Sequence, residues 1–135
     1  MKPNKYFVID FDSTFTKVEA FEVLADISLK DHPARPEIKK QIADITNQGM
    51  DGSISFRESL QKRLLLLAPE KKHLPPLVEE LKKLVSESFK RNKDFFTTHS
   101  DNIYIISHGF REFIEPGVTQ FGIKPGNILA HEVHF

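Results

Sequence analysis

Asp10-Phe11-Asp12 places two carboxylates on either side of one aromatic residue, directly after the apolar run Tyr6-Phe7-Val8-Ile9 and before Ser13-Thr14-Phe15-Thr16. In an extended chain, residues two apart share a face. Continued into a turn, that spacing sets two acids close together at the end of a strand. Two such charges repel unless a proton or a cation intervenes. Carboxylate oxygens suit Mg²⁺, a hard ion usually held jointly with substrate phosphate and water. The plainer reading is a strand that ends in a turn, where Asp is common for local reasons.

Ser107-His108-Gly109 follows a second apolar run, Ile103-Tyr104-Ile105-Ile106. A hydroxyl and a glycine ahead of a helix can aim donors at an anion; the plainer reading of Ser107 is a helix N-cap. Arg63 falls within the stripe formed by Phe56, Leu60 and Leu67 at about 100° per residue. A guanidinium there needs an internal acid, a route to water, or an anionic ligand. Glu19 opens a helical stretch, where negative charge is favourable in any case. His131 and His134, three apart in a strand, face opposite sides and make a poor metal pair. His32, His73 and His99 fall in polar, loop-like stretches, which leaves His108 as the histidine at a candidate site.

The elements that must position these residues read as α/β. Tyr6–Ile9, Ile103–Ile106 and the weaker Asn127–Ala130 are short, non-alternating apolar runs, as in a parallel sheet covered on both faces. Helical patterns separate them. Glu19–Ile27 is apolar enough to pack. Pro36 can open a helix with Ile38, Ile42 and Ile45 on one face, and Gly49 can end it. Ser55 with Glu58 is a capping-box pattern starting a helix with Phe56, Leu60, Leu64 and Leu67. Pro75 and Pro76 precede one more, carrying Leu77, Val78, Leu81, Leu84, Val85 and Phe89. The expected division is an α/β core of residues 1–16 and 89–135 with a helical insertion, 17–88.

Lys+Arg and Asp+Glu are 19 each in 135 residues, so the net charge is 0. That argues against a nucleic-acid or membrane-surface binder, which needs a basic excess. Hydrophobic residues at 39% and charged residues at 28% suit an ordinary folded domain. Cys is absent, excluding disulfide and thiolate sites. No apolar run approaches the ~20 residues of a membrane span, and the first is too short for a secretory segment. The expected location is the cytoplasm.

Asp10-Phe11-Asp12-Ser13-Thr14 resembles the first motif of the haloacid dehalogenase superfamily, in its phosphoserine phosphatase-like branch. Ile105-Ile106-Ser107-His108-Gly109-Phe110 is similar to its second motif, usually Ser-Gly-Gly-Phe. Met50-Asp51-Gly52 through Phe56–Arg63 is similar to the cap segment around bound phosphoserine. The resemblance implies a Rossmann-like parallel sheet with an inserted helical cap, and a cytoplasmic Mg²⁺-dependent phosphomonoester hydrolase of serine biosynthesis. It implies that Asp10 is the nucleophile, forming an aspartyl-phosphate, and Asp12 the general acid and base. Mg²⁺ would be bound by Asp10 and by the main-chain carbonyl of Asp12. Ser107 and Gly109 would hold the phosphoryl group. In the cap, Glu19 would meet the substrate ammonium and Arg63 its carboxylate, with Met50 and Phe56 as apolar walls.

Two departures stand out. His108 replaces a glycine that lets backbone approach phosphate. The family's third-motif Lys and fourth-motif acidic pair lie beyond the third strand, and the sequence stops at Phe135; Lys124 precedes that strand and is no match. The expectation is therefore a fragment with little turnover by itself. Without a fourth strand the edge of Tyr6–Ile9 is bare, which invites self-association or points to a longer native chain. The rival readings are a phosphatase for another small phosphometabolite and an inactive ligand-binding or assembly module.

Overall fold

The structure, a computed structural model, describes residues 5–135; residues 1–4 of the expected core segment lie outside that range. The chain is α/β. Its sheet has three parallel strands, β1 (Phe7–Ile9), β2 (Ile103–Phe110) and β3 (Ile128–His131), in the order β1-β2-β3. Phe7, Val8 and Ile9 pair with Ile103, Tyr104 and Ile105. Ile105 and Ile106 pair with Ile128 and Leu129. All three expected strands are present.

Packing divides the chain into two compact units, residues 1–20 with 74–135, and residues 21–73. Both boundaries fall inside the 17–88 span expected for the insertion.

The sheet unit packs α7 (Arg111–Val118) against one face of its strands, burying Ile114 and Val118 with Ile103, Ile105 and Ile128. Such β-branched side chains suit a crowded sheet interior. α4 (Leu74–Lys83) packs on α7 through Leu77 and Leu81. A phenylalanine cluster fills the space beside the sheet. The buried ring of Phe15 lies 5.7 Å from Phe11 (stacked), and 5.1 Å from Phe89 and 5.2 Å from Phe121, both edge-on.

One expected helix here is two. The pattern from Leu77 to Phe89 breaks after α4, and short helices α5 (Glu87–Arg91) and α6 (Lys93–Thr98) follow. The break has a structural cause. Val85 forms an antiparallel bridge with Thr16; the Lys17 N–H donates to the Leu84 carbonyl at 2.8 Å, and the Ser86 N–H to the Phe15 carbonyl at 2.8 Å. The Ser86 hydroxyl donates to the Thr14 carbonyl at 2.6 Å. Residues 84–86 are thus a strap across the segment that follows Asp12.

The second unit is helical. α1 (Ala20–Ser28) leads into α2 (Arg35–Asp51) and α3 (Phe56–Leu67). Asp26 of α1 pairs with Arg35 at 2.8 Å and Lys39 at 2.6 Å in α2. α2 runs past Gly49 and ends with Gly52 in the left-handed region. Gly49 serves another purpose: a Cβ there would lie 2.8 Å from the Ser59 hydroxyl of α3, so the missing side chain permits the close α2–α3 approach. The Ser59 hydroxyl also donates to the Ile45 carbonyl at 3.0 Å. The Ser55 side chain accepts from the Glu58 N–H, as the capping pattern predicts.

Candidate functional site

Parallel pairing of β1 with β2 sends both strands toward the same carboxyl edge, where open α/β sheets bind ligands. With Ile9 opposite Ile105, β1 ends before Asp10 while β2 carries on two residues further to Ser107 and beyond.

After Asp10 the backbone forms a single wide turn, Phe11–Phe15, closed by the Thr16 N–H donating to the Phe11 carbonyl at 3.1 Å. Such turns recur at functional sites. Burial of Phe11 and Phe15 anchors it and leaves Asp10, Ser13 and Thr14 exposed and Asp12 half-buried. The Asp10 carboxylate accepts from the Phe11 N–H at 2.8 Å. Asp12 Oδ1 accepts from the Ala20 N–H at 2.7 Å, capping the first turn of α1. Ser13 adopts φ 57°, unusual for a residue with a side chain. Its hydroxyl donates to Glu19 Oε1 at 2.5 Å, and its N–H to the Val18 carbonyl at 3.0 Å. Asp10, Asp12 and Glu19 therefore belong to one hydrogen-bonded loop. Ser13 was not singled out by the sequence reading; a hydroxyl within a turn carries no distinguishing local signal.

β2 continues through Ser107-His108-Gly109 to Phe110, further than its apolar run suggests. From Ile106 to Phe110 it advances four residues while β3 advances two, Leu129 to His131. The extra residues make a bulge, a feature common beside active sites. Ser107 is therefore not the N-cap of α7; Phe110 occupies that position, without a side-chain cap. The Ser107 hydroxyl instead accepts from the Gly109 N–H at 2.9 Å. A Cβ on Gly109 would meet the Phe113 ring at 3.0 Å and the Ser107 hydroxyl at 3.2 Å, so a side chain there would crowd both. His108 is exposed, with its ring 6.4 Å from that of His131 on β3.

The helical unit holds the remaining candidates. Met50, in the last turn of α2, and Phe56, which opens α3, flank the inter-helix turn, and both are exposed. Arg63 lies two turns along α3. Its Nε donates to the Ser59 carbonyl at 3.3 Å, and its guanidinium sits over the Phe21 ring, 4.9 Å from the centroid. A cation over an aromatic face is attracted to the ring's negative side. This answers how an arginine is tolerated on that stripe, and the stripe itself is less buried than its pattern suggests, Phe56 being exposed.

The donor set fits a hard divalent ion. Mg²⁺ needs only one or two carboxylates when phosphate and water complete its shell, and the loop supplies the exposed Asp10 carboxylate, the Asp12 side chain being engaged with the Ala20 N–H. Among the described residues no three His, Cys, Asp or Glu side chains gather as a metal cage of protein ligands would require. No helix among them is long and apolar enough to cross a membrane.

No family model matches the chain. Over 137 residues it is 32% identical to the phosphoserine phosphatase of Campylobacter jejuni, covering 95% of this chain and 58% of that protein. Over 126 residues it is 26% identical to the phosphoserine phosphatase of Drosophila melanogaster, covering 93% of this chain and 44% of that one. The crystal structure of a phosphoserine phosphohydrolase-like protein from Francisella tularensis superposes with a TM-score of 0.79 at 35% identity, covering 93% of this chain and 57% of that one. The chain thus spans about half the length of the curated relatives it matches. Across nearly all of its own length, in sequence and in the course of its backbone, it is similar to the phosphoserine phosphatases of the haloacid dehalogenase superfamily.

Proposed function

We propose that this chain carries the nucleophile and the substrate-recognition residues of an Mg²⁺-dependent phosphomonoester hydrolase of the phosphoserine phosphatase type. The observation that supports this reading is the β1–β2 register, in which β1 stops at Ile9 opposite Ile105, one residue before Asp10 and two before Ser107. The similarity to phosphoserine phosphatases supports it.

In the first half-reaction an Asp10 oxygen attacks phosphorus in line. The ester P–O bond breaks, and Asp12 gives its proton to the departing alkoxide. In the second, Asp12 takes a proton from water, which attacks the same phosphorus and frees Asp10 and phosphate. Asp12 Oδ1 is occupied by the Ala20 N–H, so the transferred proton travels on the other oxygen. Ser107 and the bulge backbone hold the phosphoryl oxygens; Gly109 releases its N–H from Ser107 to do so. Asp10 and the Asp12 carbonyl would hold Mg²⁺, which would supply charge neutralisation when bound. Residues 21–73 act as the cap: Arg63 exchanges the Phe21 ring for the substrate carboxylate, and Met50 and Phe56 provide its apolar walls. Glu19, on the loop after Asp12, meets the ammonium group. The free outer edge of β1 is a place where a second chain can pair. The setting we assign is cytoplasmic serine formation.

Phosphate release from O-phosphoserine, with and without Mg²⁺, tests the reading in the 135-residue chain and its Asp10→Asn variant. We expect slow, Mg²⁺-dependent release that Asp10→Asn abolishes. The chain spans about half the length of its curated relatives, and one missing electrostatic donor costs about 10²–10³ in rate. Equal release by both forms refutes the assignment. Arg63→Ala should raise KM for phosphoserine and leave phenyl phosphate hydrolysis unchanged; an unchanged phosphoserine KM would point to another small phosphomonoester.

A further inference from the structure

Ser13 stands in a conformation that its own side chain disfavours. Its φ of 57° and ψ of 15° lie in the left-handed region, where a residue with a Cβ is uncommon and glycine is at ease. Such an outlier is a reason to ask what its side chain is kept for. From that bend one residue makes two bonds to the segment that leads into α1. Its N–H donates to the Val18 carbonyl at 3.0 Å, and its hydroxyl to Glu19 Oε1 at 2.5 Å. The Thr16 hydroxyl donates to the same Val18 carbonyl at 2.7 Å, and Asp12 Oδ1 accepts from the Ala20 N–H at 2.7 Å. Residues 18, 19 and 20 are thus each held by the loop that carries the aspartates. At 18 and 20 the loop holds backbone; at Glu19 it holds an exposed side chain.

We propose that Ser13 is a positioning residue for substrate selection, its hydroxyl fixing the Glu19 carboxylate to meet the substrate ammonium. This rests on the phosphoserine phosphatase reading and adds to it a residue that touches neither substrate nor metal. An exposed glutamate has several rotamers, and ordering one of them on binding costs affinity. A carboxylate that is already held loses less. The kind of partner matters as well. A lysine would order Glu19 and also neutralise it, whereas a hydroxyl orders it and adds no charge. Lys17, two residues earlier, is paired with Glu87 at 2.9 Å instead. One hydroxyl takes one of the carboxylate's roughly four acceptor positions, so the acid keeps acceptor capacity for a cationic group.

The test compares O-phosphoserine with the phosphate ester of 3-hydroxypropanoate, which differs from it only in lacking the ammonium group. Both are given to the 135-residue chain with Mg²⁺; with slow turnover, KM reports dissociation. The wild type should show the lower KM for phosphoserine. Ser13→Gly, which suits the left-handed bend and removes the hydroxyl, should raise the phosphoserine KM about three- to tenfold, the usual effect of a side chain that must be ordered on binding. The gap between the two esters then shrinks. If Ser13→Gly loses its far-ultraviolet circular dichroism spectrum, Ser13→Ala decides. A preference for phosphoserine that survives removal of the hydroxyl overturns the role of Ser13 alone. So does a rise of both KM values together, which is what a general loosening of the loop would give. Equal KM values for the two esters in the wild type overturn it along with the role of Glu19, and phosphate release that Asp10→Asn leaves unchanged overturns the phosphatase reading itself.

Discussion

Asp12 serves two ends that different substitutions separate. Its Oδ1 caps α1 by accepting the Ala20 N–H, and its carboxyl is the proposed proton carrier. Asp12→Asn keeps an acceptor and loses the acid. We expect its stability in urea unfolding to stay within about 0.5 kcal/mol of wild type, with phosphate release lost. Asp12→Ala loses both, and its unfolding free energy should fall by about 0.5–2 kcal/mol, the usual cost of a removed N-cap. If the Asn variant is destabilised as much as the Ala variant, the hydrogen bond to Ala20 is not what holds the loop. Residue type and spacing made the place of the acid pair legible, since the apolar run before Asp10 is the strand that ends there. Arg63 was half legible. Its odd position showed in the periodicity, but the Phe21 ring beneath it did not, since no local pattern links residues 42 positions apart.

At the scale of elements, the α2–α3 pair depends on an absence. Alanine normally favours a helix over glycine by about 1 kcal/mol. Gly49→Ala should nevertheless destabilise, because its Cβ would lie 2.8 Å from the Ser59 hydroxyl and 2.9 Å from its Cβ. Crowding of that kind costs about 1–3 kcal/mol, which exceeds the propensity gain. A thermal melt falling by several degrees is the expected result; a rise would mean that the helices separate freely. The same glycine shows where sequence reasoning stops. Read locally, Gly49 ends a helix; in the fold it admits a neighbour. Element starts carried by local chemistry, such as the Ser55 cap of α3, were legible. The break after α4 was not, because the bridge from Val85 to Thr16 joins residues about half the chain apart. The extension of β2 past Ile106 was likewise invisible, since it is stabilised by Phe110 pairing with His131. The expected sheet came through because its strands are short apolar runs, and the two covered faces expected of them came through on one side only.

For the whole molecule, acid should weaken each unit through a different carboxylate. In the helical unit, burial alone would raise the pKa of Asp26, but hydrogen bonds and charge from Lys39 and Arg35 outweigh it and hold it below its ordinary 3.8. In the sheet unit, Lys17, with help from Lys90, holds Glu87 below its ordinary 4.5. A depressed folded-state pKa stabilises above the unfolded value and loses that contribution as pH falls through the folded one. Stability should thus be level above about pH 5 and decline below pH 4. Asp26→Asn should flatten part of that decline, by less than about 1 kcal/mol because the pair is solvent-screened; an identical acid profile for the variant would rule the pair out. The strap formed by residues 84–86 has a broader consequence. It ties the chain's outward path, just after the aspartates, to its return path. The turn that follows Asp10 is thereby held from both ends, by the β1–β2 pairing that stops at Ile9 and by the bridge at Thr16, and its shape does not depend on its own hydrogen bonds alone.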